Sequence, residues 1–414
     1  MRLLFILGSN PDLSKKEIEA AATILPLLWS SSMLRPGVLE LKSAQALPFE
    51  IGGIAGYLSS DNVNLRESIS ALQARLGGTI QIVLLWQQTT LRDAPTVVAN
   101  ALETVPAEAN RWKLAVRTIG GTIDAERLAL QVKRELKLRS LTLRYLPSRS
   151  GVAGVFHENL DLNRFDLVHP GLELTVIPEG KGLWLGVTLT VQDIEEYSRR
   201  DFGIPVPDPT SGMLPPKLAQ IMINLGISGT QEGSVLYDPF CGNGRIVLEA
   251  VSMGLAAFGS DSVPEKVAAS QANLKWLHGE RSQEAFWQAD ATQPASVEAL
   301  RQHAGGGEVR IIAEPYLGRP LRSPLQASGV SAWMRELGEL YVKFFETWKS
   351  SDVESMLIVF PSARQAKGGE ASLLDFLFDR LVQIGYAPKR LAQYARPDAI
   401  VARDLVQLTK SSSN

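Results

Sequence analysis

The chain has a single cysteine, Cys241, among 414 residues. One thiol cannot form an internal disulfide, and such scarcity fits a reducing compartment, so a cytoplasmic location is expected. Histidine is nearly as rare. His157, His169, His278 and His303 are scattered without metal-ligand spacing, which argues against zinc. Long hydrophobic runs are missing, so no membrane span is expected. The apolar start Met1–Leu7, followed by Gly8-Ser9-Asn10-Pro11, is too short for a signal peptide and reads as a buried strand. Charge of one sign is missing too. At a net charge of −2, any contact with nucleic-acid phosphates has to come from a local basic patch. What is present, 45% hydrophobic residues and a mean hydropathy of +0.01, describes a globular chain. Its length suggests about two to four domains.

Strand-like and helix-like segments alternate through the first half. Leu3–Leu7, Gly52–Tyr57, Thr79–Leu85, Lys113–Arg117, Thr142–Tyr145, Leu172–Ile177 and Trp184–Val191 read as strands. Lys15–Leu25, with Ser14 as its N-cap, reads as a helix, as do Asn62–Leu76, Thr96–Leu102 and Ala125–Leu138. This is an α+β pattern without a catalytic constellation. The densest basic stretch, 132–149, holds Lys133, Arg134, Lys137, Arg139, Arg144 and Arg149 against one acid, Glu135. On charge alone it reads equally well as the solvated face of a helix followed by an edge strand. Arg199-Arg200 is a second basic site, just before a segment rich in proline and glycine, Asp201–Gly212. That segment is too stiff to be a core element and reads as a linker.

The second half opens with Met213-Leu214-Pro215-Pro216-Lys217, proline in the first turn of a helix that continues through Leu218–Leu225. Its most informative element follows. The apolar run Val235-Leu236-Tyr237 ends in Asp238-Pro239-Phe240-Cys241-Gly242-Asn243-Gly244, and a helix-like stretch begins at Arg245. Glycines in such a turn allow positive φ and close approach of backbone N–H groups to a ligand. This is the first unit of a doubly wound nucleotide-binding fold. A dinucleotide fingerprint would need a third glycine where Val247 stands, and a carboxylate in the turn suits a pyrophosphate poorly. Asp238 instead suits a cation, such as the amino and sulfonium end of S-adenosylmethionine. The next two apolar segments end in Asp261 and Asp290. An acid at the first position can hold both ribose hydroxyls, and one at the second can accept from the adenine amine. Phe240, Gly242 and Gly244 complete the expected cofactor-binding set. Further on, Ser355–Pro361, Pro388–Tyr394 and Ile400–Leu408 read as strands, and Leu373–Ile384 as a helix. Tyr341, Phe344, Phe345 and Trp348 recur at helical spacing, which marks core rather than a base-stacking surface.

Several segments together resemble the THUMP-containing tRNA guanine-10 N2-methyltransferases, both the archaeal single-chain enzymes and the catalytic subunit of the eukaryotic counterpart. They are Val191–Asp201, Gly212–Ala219 and the Asp238–Gly244 turn, with Leu4–Gly8, Leu76–Ile82 and Tyr394–Arg403 similar as well. Their order spans nearly the whole chain. The resemblance implies a class I (Rossmann-like) S-adenosylmethionine methyltransferase domain preceded by an α+β ferredoxin-like plus THUMP region. It divides the chain into a ferredoxin-like domain over 1–68, a THUMP RNA-binding domain over 69–192, a linker over 193–212 and the methyltransferase domain over 213–414. It implies methylation of the exocyclic N2 amine of a tRNA guanosine, position 10, with Lys133, Arg134, Lys137, Arg139 and Arg144 gripping the tRNA. The eukaryotic relatives need a small activating subunit and the archaeal ones do not.

Val309–Gly318 falls where amino-methylating enzymes carry Asp/Asn-Pro-Pro-Tyr/Phe. A purine amine is a poor nucleophile because its lone pair is delocalised. A side-chain acceptor and a backbone carbonyl take hydrogen bonds from its two N–H groups, localise that pair and aim it, while the aromatic ring stacks on the flipped base. This chain departs from the pattern with Ala313-Glu314-Pro315-Tyr316. Aligning on Tyr316 puts Ala313 at the acceptor position; aligning on the acid makes Glu314 the acceptor. The reading adopted is Glu314 as acceptor, Pro315 as the carbonyl position and Tyr316 as the stacking ring. The departure leaves two alternatives open, a catalytically altered tRNA-binding scaffold with a retained cofactor fold, or an amino-methyltransferase for another RNA.

Overall fold

The computed structural model describes residues 2–22, 30–42, 63–103, 111–147, 171–208, 213–229, 233–279, 285–304, 307–353, 355–396 and 398–411. The expected strand at 52–57 and Arg149 lie outside them. The chain divides into two compact units, one of 1–11, 24–74 and 79–193, the other of 12–23, 75–78 and 194–414.

The first unit is built on an eight-stranded sheet in the order β2-β3-β1-β4-β8-β7-β5-β6. In chain order its strands are β1 (Arg2–Leu7), β2 (Ser30–Arg35), β3 (Val38–Lys42), β4 (Thr79–Thr89), β5 (Arg111–Thr118), β6 (Thr142–Tyr145), β7 (Gly171–Glu179) and β8 (Gly182–Val191). The β2–β3 hairpin is not among the expected elements; its turn is closed by Gly37 at φ +74°. Gly180, at φ +59°, does the same between β7 and β8, where a two-residue loop needs a left-handed residue. Helix α1 (Pro11–Ala21) belongs, from Asp12 on, to the second unit. It starts at Pro11, which fits a first helical turn because its missing N–H would have had no partner. Ser14 is therefore not the N-cap but a buried residue inside the helix. Helices α2 (Val63–Arg75), α3 (Ala94–Glu103) and α4 (Ala125–Leu138) complete the set around the first sheet. Asp124 caps α4, its Oδ1 accepting from Arg127 N at 2.9 Å.

The second unit continues with α5 (Ile194–Phe202), α6 (Pro216–Gly226), β9 (Val235–Asp238), α7 (Arg245–Ser252), β10 (Ala257–Asp261), α8 (Pro264–His278), β11 (Phe286–Gln288), α9 (Pro294–Ala304), β12 (Val309–Ala313) and α10 (Ala327–Trp348). It ends with β13 (Ser355–Arg364), β14 (Glu370–Ser372), α11 (Leu373–Ile384), β15 (Tyr386–Tyr394) and β16 (Val401–Lys410). The sheet order is β11-β10-β9-β12-β13-β16-β15, with β14 paired to β13. β9 to β13 pair in parallel and β16 is antiparallel to β13. Leaving out β14, that is the 3-2-1-4-5-7-6 order of a class I methyltransferase, with the strand order reversing between β9 and β12.

Both faces of this sheet are covered at its centre, where β9 and β13 are almost wholly buried for that reason, whereas the outer β15 and β16 carry Lys389, Arg390, Arg403 and Asp404. Alternation assigns the faces. Tyr237, Ile311, Ala313, Met356, Ile358 and Phe360 pack on one side with Tyr341, Phe344, Phe345 and Trp348 of α10. Leu236, Ile312, Leu357 and Val359 pack on the other with Met222, Ile223, Val247 and Leu248 of α6 and α7. These four α10 aromatics are at most 1% exposed, as core residues should be. The segment expected as a linker is helical over 194–202, and Ile204 just beyond it is buried.

Candidate active site

Parallel strands leave their carboxyl ends on one edge, and the strand-order reversal opens a crevice there. Asp238 closes β9 at that edge and is 2% exposed. Its Oδ1 accepts from Phe240 N at 3.0 Å. No cation pairs with it among the described residues. Burial pushes its pKa well above the ordinary carboxylate value, and the neighbouring carboxylates of Asp261 and Glu314 add to the rise. Burial, then the field of Asp238, raises the Cys241 thiol as well, so it is no nucleophile.

The turn after Asp238 is fixed from below. Cys241 N donates to Ser260 O at 2.9 Å, and Gly244 N to Cys241 O at 2.7 Å. Gly242 and Gly244 have φ of +52° and +90°, and Gly244 is the N-cap of α7. A Cβ at Gly244 would lie 2.8 Å from Leu248 Cδ1 and 3.1 Å from Ser270. Asp261, at the end of β10, accepts from Gly242 N through Oδ2 and from Val263 N through Oδ1, both at 3.0 Å. The second acid therefore clasps the glycine turn of the first strand, with an acceptor lone pair left on each oxygen. Asp290 is exposed and accepts from Thr292 N at 2.9 Å and Thr292 Oγ1 at 2.8 Å.

Glu314 follows β12 directly. Its side chain is 15% exposed and forms an ion pair with Arg403 Nε of β16. Pro315 is buried and Tyr316 is 48% exposed. The Asp238, Asp261 and Glu314 carboxylates thus lie close enough to act on one another at this edge, with the exposed Tyr316 ring two residues beyond Glu314. A buried carboxylate without a counter-charge, beside backbone N–H groups in a left-handed glycine turn, fits a ligand with a cationic end and hydroxyls.

Sequence reasoning missed the supports of this turn. Ser270 Oγ donates to Gly242 O at 2.7 Å, and Asn273 Nδ2 to Asn243 O at 3.0 Å. Asn273 also binds Val206 N at 2.9 Å and Val206 O at 3.0 Å, while Asn243 Nδ2 donates to the same Val206 O at 2.9 Å. These bonds strap the proline-rich segment across the turn. Arg200, expected as a basic site, is instead buried, its Nε 3.1 Å from Glu249 Oε1. Arg245 Nη1 donates to Arg200 O at 2.7 Å and lies 3.9 Å from the same Glu249 oxygen. Burial pushes Glu249 up to about 7, with both guanidiniums pulling the other way. Arg199 remains half-exposed, paired with Glu196 and stacked on Trp276 at 4.6 Å.

In the first unit, Lys133, Arg134, Lys137 and Arg144 are exposed on α4 and β6. Arg139 is committed elsewhere, to Glu135 at 3.0 Å, Glu103 at 3.2 Å and Asn100 at 2.7 Å. Among the described residues, no group of three His, Cys, Asp or Glu side chains is placed to hold a metal, and no helix is long and apolar enough to cross a membrane.

Residues 207–305 match the UPF0020 family, described as RMKL-like, methyltransferase domain. A tRNA (guanine(10)-N2)-dimethyltransferase of Pyrococcus abyssi is 31% identical over 102 residues, covering 23% of this chain and 28% of its own length. One of Methanothermobacter thermautotrophicus is 42% identical over 64 residues, covering 16% of this chain and 18% of its own length. The chain therefore spans less than a third of the length of these two relatives. These names are those of the family that the motifs resemble. The crystal structure of TrmN from Thermus thermophilus aligns over 99% of this chain and 100% of its own, at 17% identity and a TM-score of 0.49.

Proposed function

We propose that this chain, which carries a UPF0020-type methyltransferase domain, is an S-adenosylmethionine-dependent tRNA methyltransferase acting on the N2 amine of a guanosine, position 10. The observation that carries the reading is the buried Asp238, without a cationic partner among the described residues, beside the Gly242–Gly244 turn, with Asp261 and Asp290 at the next two strand ends. Bound there, the cofactor supplies an electrophilic methyl group on a sulfonium. Asp238 and the Phe240–Gly244 backbone hold its cationic end, Asp261 its ribose hydroxyls, and Asp290 its adenine amine. Glu314 accepts one N–H of the target amine, the Pro315 carbonyl accepts the other, and Tyr316 stacks on the base. Together they localise the nitrogen lone pair and orient it for in-line displacement.

The 69–192 region grips tRNA through Lys133, Arg134, Lys137 and Arg144, with Arg139 ordering the end of α4 by its ion pairs. The enzyme works in the cytoplasm. Two changes from the usual motif, Ala313 and the paired Glu314, favour one second reading, a tRNA-binding scaffold that keeps the cofactor fold. Methyl transfer from labelled S-adenosylmethionine to unmodified tRNA transcripts, with mass mapping of the product, decides between them. Label on guanosine N2 is expected. No label, with cofactor and tRNA both bound, favours the scaffold, and transfer restored by a small partner subunit recovers the enzyme.

A further inference from the structure

Because β16 runs antiparallel to β13, Arg403 sits opposite Pro361 near the carboxyl end of β13. That register delivers a guanidinium, from a strand far along the chain, to the edge where β9 and β12 end. There Arg403 Nε donates to Glu314 Oε1, with both side chains mostly buried. Glu314 makes no other hydrogen bond among the described residues, so Oε2 has no partner among them. Asp238 and Asp261 have no cationic partner among those residues, so Arg403 pairs with one carboxylate of an acidic cluster.

We propose that Arg403 is a positioning residue for methyl transfer: it fixes and neutralises Glu314 through Oε1 and leaves Oε2 as the atom available to the target amine. The inference rests on the methyltransferase reading above. Orientation is the first consequence. A misplacement of about 1 Å at an acceptor costs about 100-fold in rate, and a free Glu side chain has rotamers to spare. Charge is the second. Without Arg403, Glu314 would act on Asp238 as an uncompensated anion, in a cleft already shared with Asp261 and bordered by the Cys241 thiol and the Tyr237 hydroxyl.

Arg403→Gln, Arg403→Lys, Glu314→Gln and the double Gln variant test this in the full chain. The first readout needs no tRNA: calorimetric affinity for S-adenosylmethionine as a function of pH. Asp238 has to ionise to pair with the cationic end, so affinity rises with pH. The midpoint is expected to move up in Arg403→Gln, down in Glu314→Gln, and to return toward the wild-type value in the double variant, which carries neither charge. The second readout is transfer to tRNA. Arg403→Gln is expected to lose about 100-fold in kcat with KM little changed. Arg403→Lys should recover part of the rate, because an ammonium keeps the charge but not the planar donor. The double variant should be no slower than Glu314→Gln. An unchanged midpoint and rate in Arg403→Gln, or losses that multiply in the double variant, overturn the proposal. Wild-type protein that labels no tRNA, with or without a small partner subunit, overturns the methyl-transfer reading, while a raised midpoint in Arg403→Gln still supports the pair. If Arg403→Gln does not fold, Arg403→Lys decides: slower transfer with an unchanged midpoint supports the pair, and an unchanged rate overturns it.

Discussion

Replacing Asp238 with Asn should make the protein more stable and its cofactor site weaker. The carboxyl is buried, unpaired with any cation among the described residues, and holds its proton well above the ordinary range. Asn keeps the shape and an acceptor for Phe240 N, which lies 3.0 Å from Asp238 Oδ1, but it cannot ionise. The sign follows from proton counting. Above about pH 4 the unfolded chain has lost this proton while the folded chain keeps it, so the wild type loses stability as pH rises through that interval. The slope is about 1.4 kcal/mol per pH unit until the folded carboxyl ionises. The Asp238→Asn substitution removes the slope, so the stability gain of the variant widens with pH. Affinity moves the other way. Losing a charged acceptor for the cationic end of S-adenosylmethionine should cost about 1.5–3 kcal/mol, about 10- to 150-fold in Kd. Urea unfolding at mildly acid and mildly alkaline pH gives the first quantity and calorimetry the second. A variant equally stable at both pH values relative to wild type, or one that binds the cofactor with wild-type affinity, would refute the reasoning.

Gly244→Ala should cost about 2–5 kcal/mol, because a left-handed φ of +90° is joined by a Cβ 2.8 Å from Leu248 Cδ1; a loss below about 1 kcal/mol in urea unfolding would show that the turn relaxes freely. Glu17 is fully buried, accepts from Gly77 N and Gly78 N at 2.8 Å and from Asn224 Nδ2 at 2.9 Å, and is pushed up to about 7 by burial. Its contribution to stability is therefore highest below the unfolded value and falls as pH rises to about 7. Wild type should lose about 3 kcal/mol over that window relative to Glu17→Gln, read from paired melts at the two ends of it. Tyr316→Ala, at a half-exposed ring, should change stability by less than about 0.5 kcal/mol yet slow methyl transfer; unchanged turnover would remove Tyr316 from the base-stacking role.

The helices and strands of the second unit were largely legible because their signals are local. Leu236, Ile312 and Leu357 stand in apolar runs bounded by turns, and Tyr341, Phe344, Phe345 and Trp348 recur at helical spacing. The positive-φ turn at Gly242–Gly244 was legible for the same reason. Ser14 misled, because a hydroxyl can cap a helix or sit inside one, and Pro11 three residues earlier decided the start. The β2–β3 hairpin was missed, since Ser30–Arg35 lacks a clear apolar alternation and pairs only because β3 offers an edge.

The acids at three strand ends, the glycine turn and the order of elements could be read from the chain, since each depends on residues within a few positions of one another. Which groups share the site could not, because long-range strand pairing brings them together. Arg403 and Glu314 are 89 positions apart and meet through the β13–β16 register. Arg200 looked like a phosphate contact until Glu249, on a different helix, buried it. A charge has no role until its neighbours are known, because pairing and desolvation, both set by distant parts of the chain, decide whether it faces a ligand or holds the fold.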